Sequence, residues 1–458
     1  MQLTRRAFLG GAAAAPVLAR APLASETPAQ VLRAAPVSVQ LAPSDFPKTD
    51  LWAFNGTVPG ETLRLRQGEM FRARLENGLE QETTIHWHGQ RLPNAMDGVP
   101  YMTQAGVLPG ESFDYAFPLR DAGTFWYHPH ANSLEQISRG LAGVMIVEEP
   151  QGPDVDGEEV LVFDDWRLDE GAQIHHSFGN RHDMSHDGRL GNYITVNARP
   201  ELTGEQVSGA RLRLRLVNTA TARIFRLRFQ GLRAWEAALD AMPLETPAET
   251  TELVLAPAQR ADLFVDITAA PGEEAMIASV ERDGTYAMVT WTASGPAQAP
   301  RPAPAPLPPN DMPVVSPDTA RRQPLTLEGG AMRGLPEQAV WKGEKQAART
   351  LIEGGQFWLF NGVAGMPDAP LLDASLGETI RIPITNRTAF PHAMHLHGMH
   401  FREIAADGAL GPWRDTLLVA ADETREIVFV ADNPGDWMFH CHMAAHQMSG
   451  MMNWIRVT

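Results

Sequence analysis

The stretch Gly435-Asp436-Trp437-Met438-Phe439-His440-Cys441-His442 has an earlier counterpart in Gly123-Thr124-Phe125-Trp126-Tyr127-His128-Pro129-His130. Both are aromatic runs that close on two histidines one residue apart. The later copy holds the only cysteine in 458 residues. On an extended strand, alternate side chains point to opposite faces. His440 and His442 therefore share one face and the Cys441 thiol takes the other, so one tripeptide can serve two metal centres. Cys441, His446 and Met451 offer the thiolate, imidazole and long axial thioether of a blue-copper electron-transfer site, provided a second histidine arrives from elsewhere.

Outward from this stretch, more of the chain repeats in the same order. Leu51-Trp52-Ala53-Phe54-Asn55-Gly56 returns as Phe357-Trp358-Leu359-Phe360-Asn361-Gly362. The alternating segments Thr62-Leu63-Arg64-Leu65-Arg66 and Thr379-Ile380-Arg381-Ile382-Pro383 follow, with the period of a half-buried strand. Then come His86-Trp87-His88-Gly89 and His395-Leu396-His397-Gly398. A weaker copy lies between, with Val196-Asn197 and the alternating run Leu212 to Thr219, and no histidine separates His186 from His392. The pattern predicts an all-β chain of three sandwich domains, residues 30–150, 151–300 and 317–458. The proline-rich residues 301–316 read as an extended linker. Residues 331–356 show no clear strand period and are expected to form a loop-helix insertion.

Four His-x-His units supply eight imidazoles: His86 with His88, His128 with His130, His395 with His397, and His440 with His442. Imidazole suits copper, zinc, iron or nickel, so Cys441 and Met451 are what select copper. If the first and third domains face each other, their histidines converge and can hold three metals as three, three and two. The middle domain is then a spacer and scaffold. The first domain lacks the thiolate centre, since Pro129 stands opposite Cys441 and Leu134 and Arg139 stand opposite His446 and Met451. That leaves one such centre, in the third domain, with His392 as its fourth ligand.

A net charge of −17 argues against nucleic acid as a partner, because phosphate binding needs a basic stripe. The N-terminus, Thr4-Arg5-Arg6-Ala7-Phe8-Leu9-Gly10 and the small apolar run after it, resembles a twin-arginine signal cleaved near Ala24. Gly10 departs mildly from the lysine usual in that motif. Residues 1–24 are thus expected to engage the twin-arginine export machinery. The mature protein is expected in the periplasm, or otherwise exported, as a monomer without a membrane span. With a single cysteine there is no intrachain disulfide, and metal ligation gives an unpaired thiol a purpose in an oxidising compartment.

Four motifs together, His-Trp-His-Gly, His-Pro-His, His-x-x-His-x-His-Gly and His-Cys-His-x-x-x-His-x-x-x-x-Met, make the chain resemble the multicopper oxidases, which include laccases and bacterial periplasmic copper-tolerance oxidases. The resemblance implies three cupredoxin-like Greek-key β-sandwich domains and four copper ions. It places His392, Cys441, His446 and axial Met451 on the type 1 ion and His86 and His395 on the type 2 ion. His88, His128, His130, His397, His440 and His442 fall to the type 3 pair. The implied reaction couples four one-electron oxidations to reduction of dioxygen to water, and Asp97 matches an acidic position suited to proton relay. Gln447, which cannot titrate, stands where many bacterial relatives carry a glutamate. Expected donors are phenols and aromatic amines, as for laccases, with Cu(I) as the alternative. The methionine-rich insertion of copper-tolerance relatives is missing. A non-enzymatic alternative is copper sequestration on the same scaffold. The segment with His175, His176, His182 and His186 is expected either to bind extra copper or line a substrate approach, or to be a polar interdomain loop. Residues 331–356, with Trp341, are a candidate substrate cover.

Overall fold

Six β-sheets build three cupredoxin-like sandwiches in the computed structural model, which describes residues 29–296 and 299–458. The expected export signal, residues 1–24, lies outside the described residues. In the first sandwich, Thr49–Phe54, Gln30–Val39, Met70–Asn77 and Ser112–Pro118 form one sheet. The other sheet holds β1 (His86–His88) and β2 (Gly123–His128), followed outward by Gly143–Glu148 and Gly60–Arg66. The middle sandwich is centred on β3 (Arg211–Asn218) and β4 (Arg260–Ile267), which pair antiparallel. In the third, β5 (His392–Leu396), β6 (Thr416–Val419), β7 (Gly435–Cys441) and β8 (Met452–Val457) make one sheet with Leu372–Ala374. One apolar cluster runs through both outer sandwiches, from Phe71 and Trp87 to Trp437 and Ile455, while the middle sandwich has its own.

The repeated Asn-Gly dipeptide has a local cause. Asn55-Gly56 and Asn361-Gly362 both take positive φ at the two central positions, the conformation a tight two-residue hairpin requires and Asn-Gly tolerates best. Asn197-Ala198 does the same in the middle sandwich. Each asparagine then pins its turn to a neighbouring strand. The side-chain oxygens of Asn55, Asn197 and Asn361 accept from the backbone N–H of Arg33, Val162 and Thr326, all at 2.8 Å. Their amides donate back to the carbonyls of Val31, Val160 and Pro324. At ~0.5–1.5 kcal/mol net per bond, the motif is retained for its geometry as much as for its stability.

On β3 the leucines point into the middle core, as the alternation predicts, but the arginine face is buried too. Arg213 pairs with Glu149 and Asp262 at 2.7 and 2.6 Å, Arg215 reaches Asp262 at 3.0 Å, and the Thr124 hydroxyl of β2 donates to Asp262 at 2.5 Å. The polar stripe is an internal seam between the first and middle sandwiches. The proline-rich segment is likewise fastened down. Leu307 is buried against Trp235 and Phe264, and Asn310 exchanges two 2.9 Å bonds with the backbone of Ala122.

Among the described residues there are four short α-helices: α1 (Ser133–Ser138), α2 (Arg181–Ser185), α3 (Ala348–Glu353) and α4 (Ala444–Met448). Residues 331–356 correct the expectation of a plain loop and helix. They hold a hairpin, Gln338–Trp341 with Glu344–Ala347, turned on Lys342-Gly343 at positive φ, before α3 begins. The strands are too short for the period to show, although Lys-Gly between them marks the turn. Leu134 of α1, Met184 of α2 and Ala444 and Ala445 of α4 meet in one small apolar cluster, so these three helices converge beside the metal-ligand strands. No helix among the described residues is long and apolar enough to cross a membrane.

Candidate metal centres

Cross-strand pairing brings the histidines together. On β1 and β2, His86 lies opposite His128; on β5 and β7, His395 lies opposite His440 and Met394 opposite Cys441. The two pairs are the same construction in pseudo-symmetric sandwiches. Their side chains gather into four sets of close donor atoms: His86, His88 and His395; His88, His128 and His442; His130, His397 and His440; and His392, Cys441 and His446. Every one of these residues is buried. Met451, the remaining proposed ligand, is fully buried in the same cluster as Cys441, and its carbonyl accepts from the Cys441 N–H at 3.1 Å.

The hydrogen bonds fix which nitrogen of each ring is free. Nδ1 of His86, His128, His395 and His440 donates to the carbonyls of Asp97, Pro129, Asp415 and Cys441 at 2.8–3.0 Å. Nδ1 of His397 donates to the Asp97 carboxylate at 2.9 Å. A neutral ring that donates from one nitrogen keeps a bare lone pair on the other. The bare Nε2 atoms of His397 and His440 stand 3.0 Å apart, where neither can donate to the other. His86 Nε2, His395 Nε2 and His88 Nδ1 are buried with no hydrogen-bond partner. Buried lone pairs that face each other repel unless a cation lies between them, so the donor set fits metal ions.

Burial, and after it the neighbouring imidazoles, hold His88, His128, His130, His397, His440 and His442 well below the ordinary histidine range. The rings therefore remain in the neutral form that ligates metal. Cys441 Sγ lies 3.7 Å from Nδ1 of both His392 and His446. Burial pushes its thiol up to about 12, so a metal that binds there must displace a proton.

Asp97 is buried between two of the sets. Its carboxylate lies 2.9 Å from His397 Nδ1 and 3.2 Å from His86 Nδ1. Gly98, at φ +82°, allows that close approach, because a Cβ there would collide with the Ile85 carbonyl. A cavity of about 590 Å³ opens from the surface to His130 and is lined by Val99, Met102, Met438, Gln447 and Met452 among others.

Sequence reasoning missed a second buried carboxylate, Asp415. It accepts from His88 Nε2 at 3.2 Å and is clamped by both nitrogens of Arg260, at 2.9 and 2.6 Å. Burial alone would raise Asp415, but Arg260 and His88 hold it well below the usual carboxylate range. Arg260 sits on β4, so the middle sandwich is more than a spacer. The two residues are 155 positions apart, so no local signal joined them. His400, buried with both ring nitrogens unpartnered and 3.7 Å from Asp415, also went unread. The segment with four non-cluster histidines divides. His182 and His186 belong to α2 and its C-cap, whereas His176 Nδ1 accepts from Arg139 at 3.3 Å and His175 is exposed.

Three family models described as multicopper oxidase match residues 37–152, 157–294 and 340–458. Among solved structures, the chain is similar to Lac15 from a marine microbial metagenome, at 41% identity over 93% of this chain and 100% of that one, with a TM-score of 0.75. It is also similar to a multi-copper oxidase from Pseudomonas thermotolerans, at 34% identity over 93% and 98%, with a TM-score of 0.81. Among curated proteins, the multicopper oxidase MmcO of Mycobacterium tuberculosis is 29% identical over 87% of this chain and 81% of its own length.

Proposed function

This chain belongs to the multicopper oxidases, and from that premise we propose that it oxidises small reducing donors one electron at a time and reduces dioxygen to water with four copper ions. It is an oxidoreductase whose multi-histidine metal sites carry electrons to dioxygen. The proposed ligands are His392, Cys441, His446 and Met451 for the type 1 ion and His86 and His395 for the type 2 ion. The proposed type 3 ligands are His88, His128 and His442 on one side and His130, His397 and His440 on the other. The observation that carries this reading is the buried array of bare nitrogens facing one another. When bound, copper supplies the one-electron redox steps and the binding and reduction of dioxygen.

The residues link these sites by short paths. From Cys441 Sγ the covalent chain runs one residue in each direction to His440 and His442, about 3.3–3.6 Å of backbone each way. Asp97 is the proposed proton relay, since its carboxylate touches two ligand rings and the residues that follow it line the cavity to His130. That cavity is the proposed route for dioxygen inward and water outward. Residues 4–10 support export by the twin-arginine route.

Phenols and aromatic amines, laccase-like donors, are the proposed substrates. Cu(I) is a second reading favoured by one observation: the outer nitrogen of His446 is closed off by protein, so an organic ring cannot touch it. Dioxygen uptake by the copper-loaded protein, with a phenol and with Cu(I) in parallel, tests the proposal. Turnover with four coppers per chain is expected, whereas copper binding without uptake with either donor would mean sequestration instead.

A further inference from the structure

The eight histidines proposed for the type 2 and type 3 ions are all buried, so copper has to reach them along a path built into the fold. His130 is the most exposed of them, at 7%, against 5% for His442 and 2% or less for the others. It stands at the inner end of the cavity that opens from the surface. An ion entering there meets His130 first.

The walls of that cavity carry five methionines from separate parts of the chain: Met102, Met366, Met438, Met448 and Met452. Met366 and Met448 are 38% and 39% exposed, Met102 and Met452 are half-buried, and Met438 is buried. Sheet pairing places two of them beside the ligands. Met452 on β8 lies directly opposite His440 on β7, and Met438 precedes His440 by two residues, so both share the His440 face. The Met438 carbonyl also accepts from the His397 N–H at 3.0 Å. Thioethers thus line the way from the surface to the set of His130, His397 and His440.

A passage for dioxygen and water alone has no use for sulfur, since leucine would line it as well. Thioether sulfur is a soft, uncharged donor that selects Cu(I) and has no proton to displace. Asp368 is exposed on the same walls, where a carboxylate draws a cation in. Arg456, the cation of the lining, is paired with Asp436 at 2.8 Å. At the inner end, the bare Nε2 atoms of His397 and His440, 3.0 Å apart, make the stronger donor set, because a metal there also relieves the repulsion between their lone pairs.

We propose that this cavity is the port through which cuprous ions are loaded into the trinuclear site, with its methionines as relay ligands. The inference rests on the oxidase reading above and adds to it how the chain acquires its cofactor. Each step exchanges one neutral donor for another. A sulfur–copper contact breaks as the next sulfur, and finally an imidazole nitrogen, makes one. Copper stays Cu(I) throughout, and no proton or electron is transferred. The Cys441 group lies off this route, because its thiol is on the opposite face of β7 and none of its proposed ligands lines the cavity.

The test strips copper from the full chain and follows reloading under argon, in the parent protein and in Met102→Leu/Met448→Leu/Met452→Leu, which keeps the apolar volume of the walls. Timed samples are quenched with a Cu(I) chelator and then exposed to air. Total copper, the Cys441 charge-transfer band and the type 2 electron paramagnetic resonance signal are read in each. With Cu(I), trinuclear loading of the variant should slow about tenfold, equivalent to ~1.4 kcal/mol in the barrier, while type 1 loading keeps the parental rate. With Cu(II), which thioethers do not select, parent and variant should load alike. Trinuclear loading at the parental rate with Cu(I), equal slowing with both oxidation states, or equal slowing at the type 1 site would overturn the port. Should circular dichroism show the triple variant unfolded, the exposed pair Met366→Leu/Met448→Leu must slow Cu(I) loading at least about threefold, and its failure to do so would overturn the port equally. If the parent protein does not reach four coppers per chain, the oxidase reading fails, and the port with it.

Discussion

Two buried carboxylates share the work of holding the histidines, and they differ in how they are anchored. Asp97 touches the rings of His86 and His397, with no arginine among its ion pairs within the described residues, while Asp415 touches His88 and is clamped by Arg260. A carboxylate tied to a buried arginine is held as a fixed counter-charge, whereas one that contacts only imidazoles and adjoins a cavity can exchange protons. Asp97→Asn should therefore slow reoxidation of the reduced protein by dioxygen about 10–100-fold, the usual cost of losing such a partner. Reduction at the Cys441 group should be unchanged. Stopped-flow kinetics with copper content measured alongside will separate the two, and reoxidation at the parental rate would remove Asp97 from the proton path. Asp97 was legible because it follows the His86/His88 strand closely and matches an acidic position of the family the sequence resembles. Asp415 was not, because its meaning depends on partners far away in the chain.

At the scale of elements, the cover over His446 is a joint product of α2 and the 331–356 insertion. The His186 carbonyl that closes His446 Nε2 follows α2 directly, and α2 is tied to the insertion where the Ala331 N–H donates to the Ser185 carbonyl and Arg181 donates to the Ile352 carbonyl of α3. Replacing residues 338–353 with a short glycine-serine linker removes one anchor of α2 and loosens the seal. The expected result is a rise of about threefold in kcat/KM for a bulky phenol, equivalent to ~0.7 kcal/mol. A series of phenols of increasing size will show it, and a flat series would exclude the insertion from gating. The period of the sequence could not foretell this hairpin, since four-residue strands are too short to display alternation. The Asn-Gly turns, by contrast, were legible because their conformation is demanded by the residues themselves.

In the whole molecule, stability and site assembly share the same internal seams. Burial pushes the Asp262 carboxyl up, but Arg213 and Arg215 outweigh it and leave the group below its ordinary value. A depressed carboxylate stabilises the fold fully above its unfolded value, near ~3.9, and loses that contribution as pH falls through the lower folded value. The seam should thus be insensitive to pH between ~5 and 8 and weaken only in acid. Asp262→Asn leaves two buried guanidinium groups short of a partner and should cost about 3–5 kcal/mol. Denaturant unfolding of the parent protein and the variant at neutral pH measures that difference. A change below ~1 kcal/mol would show that Glu149 and Glu158 alone satisfy the arginines.

The sequence by itself determined the sandwich architecture, the histidines and cysteine fit for copper, and the single thiolate centre. These follow from strand period, turn chemistry and the spacing of ligands on one face, all of which act over a few residues. Tertiary structure alone decided that Arg260 clamps Asp415, that the arginine face of β3 is an internal seam, and that α2 closes His446. Each of those depends on groups brought together from different sandwiches. Their energy comes from burial and from distance between charges, and neither exists until the chain is folded.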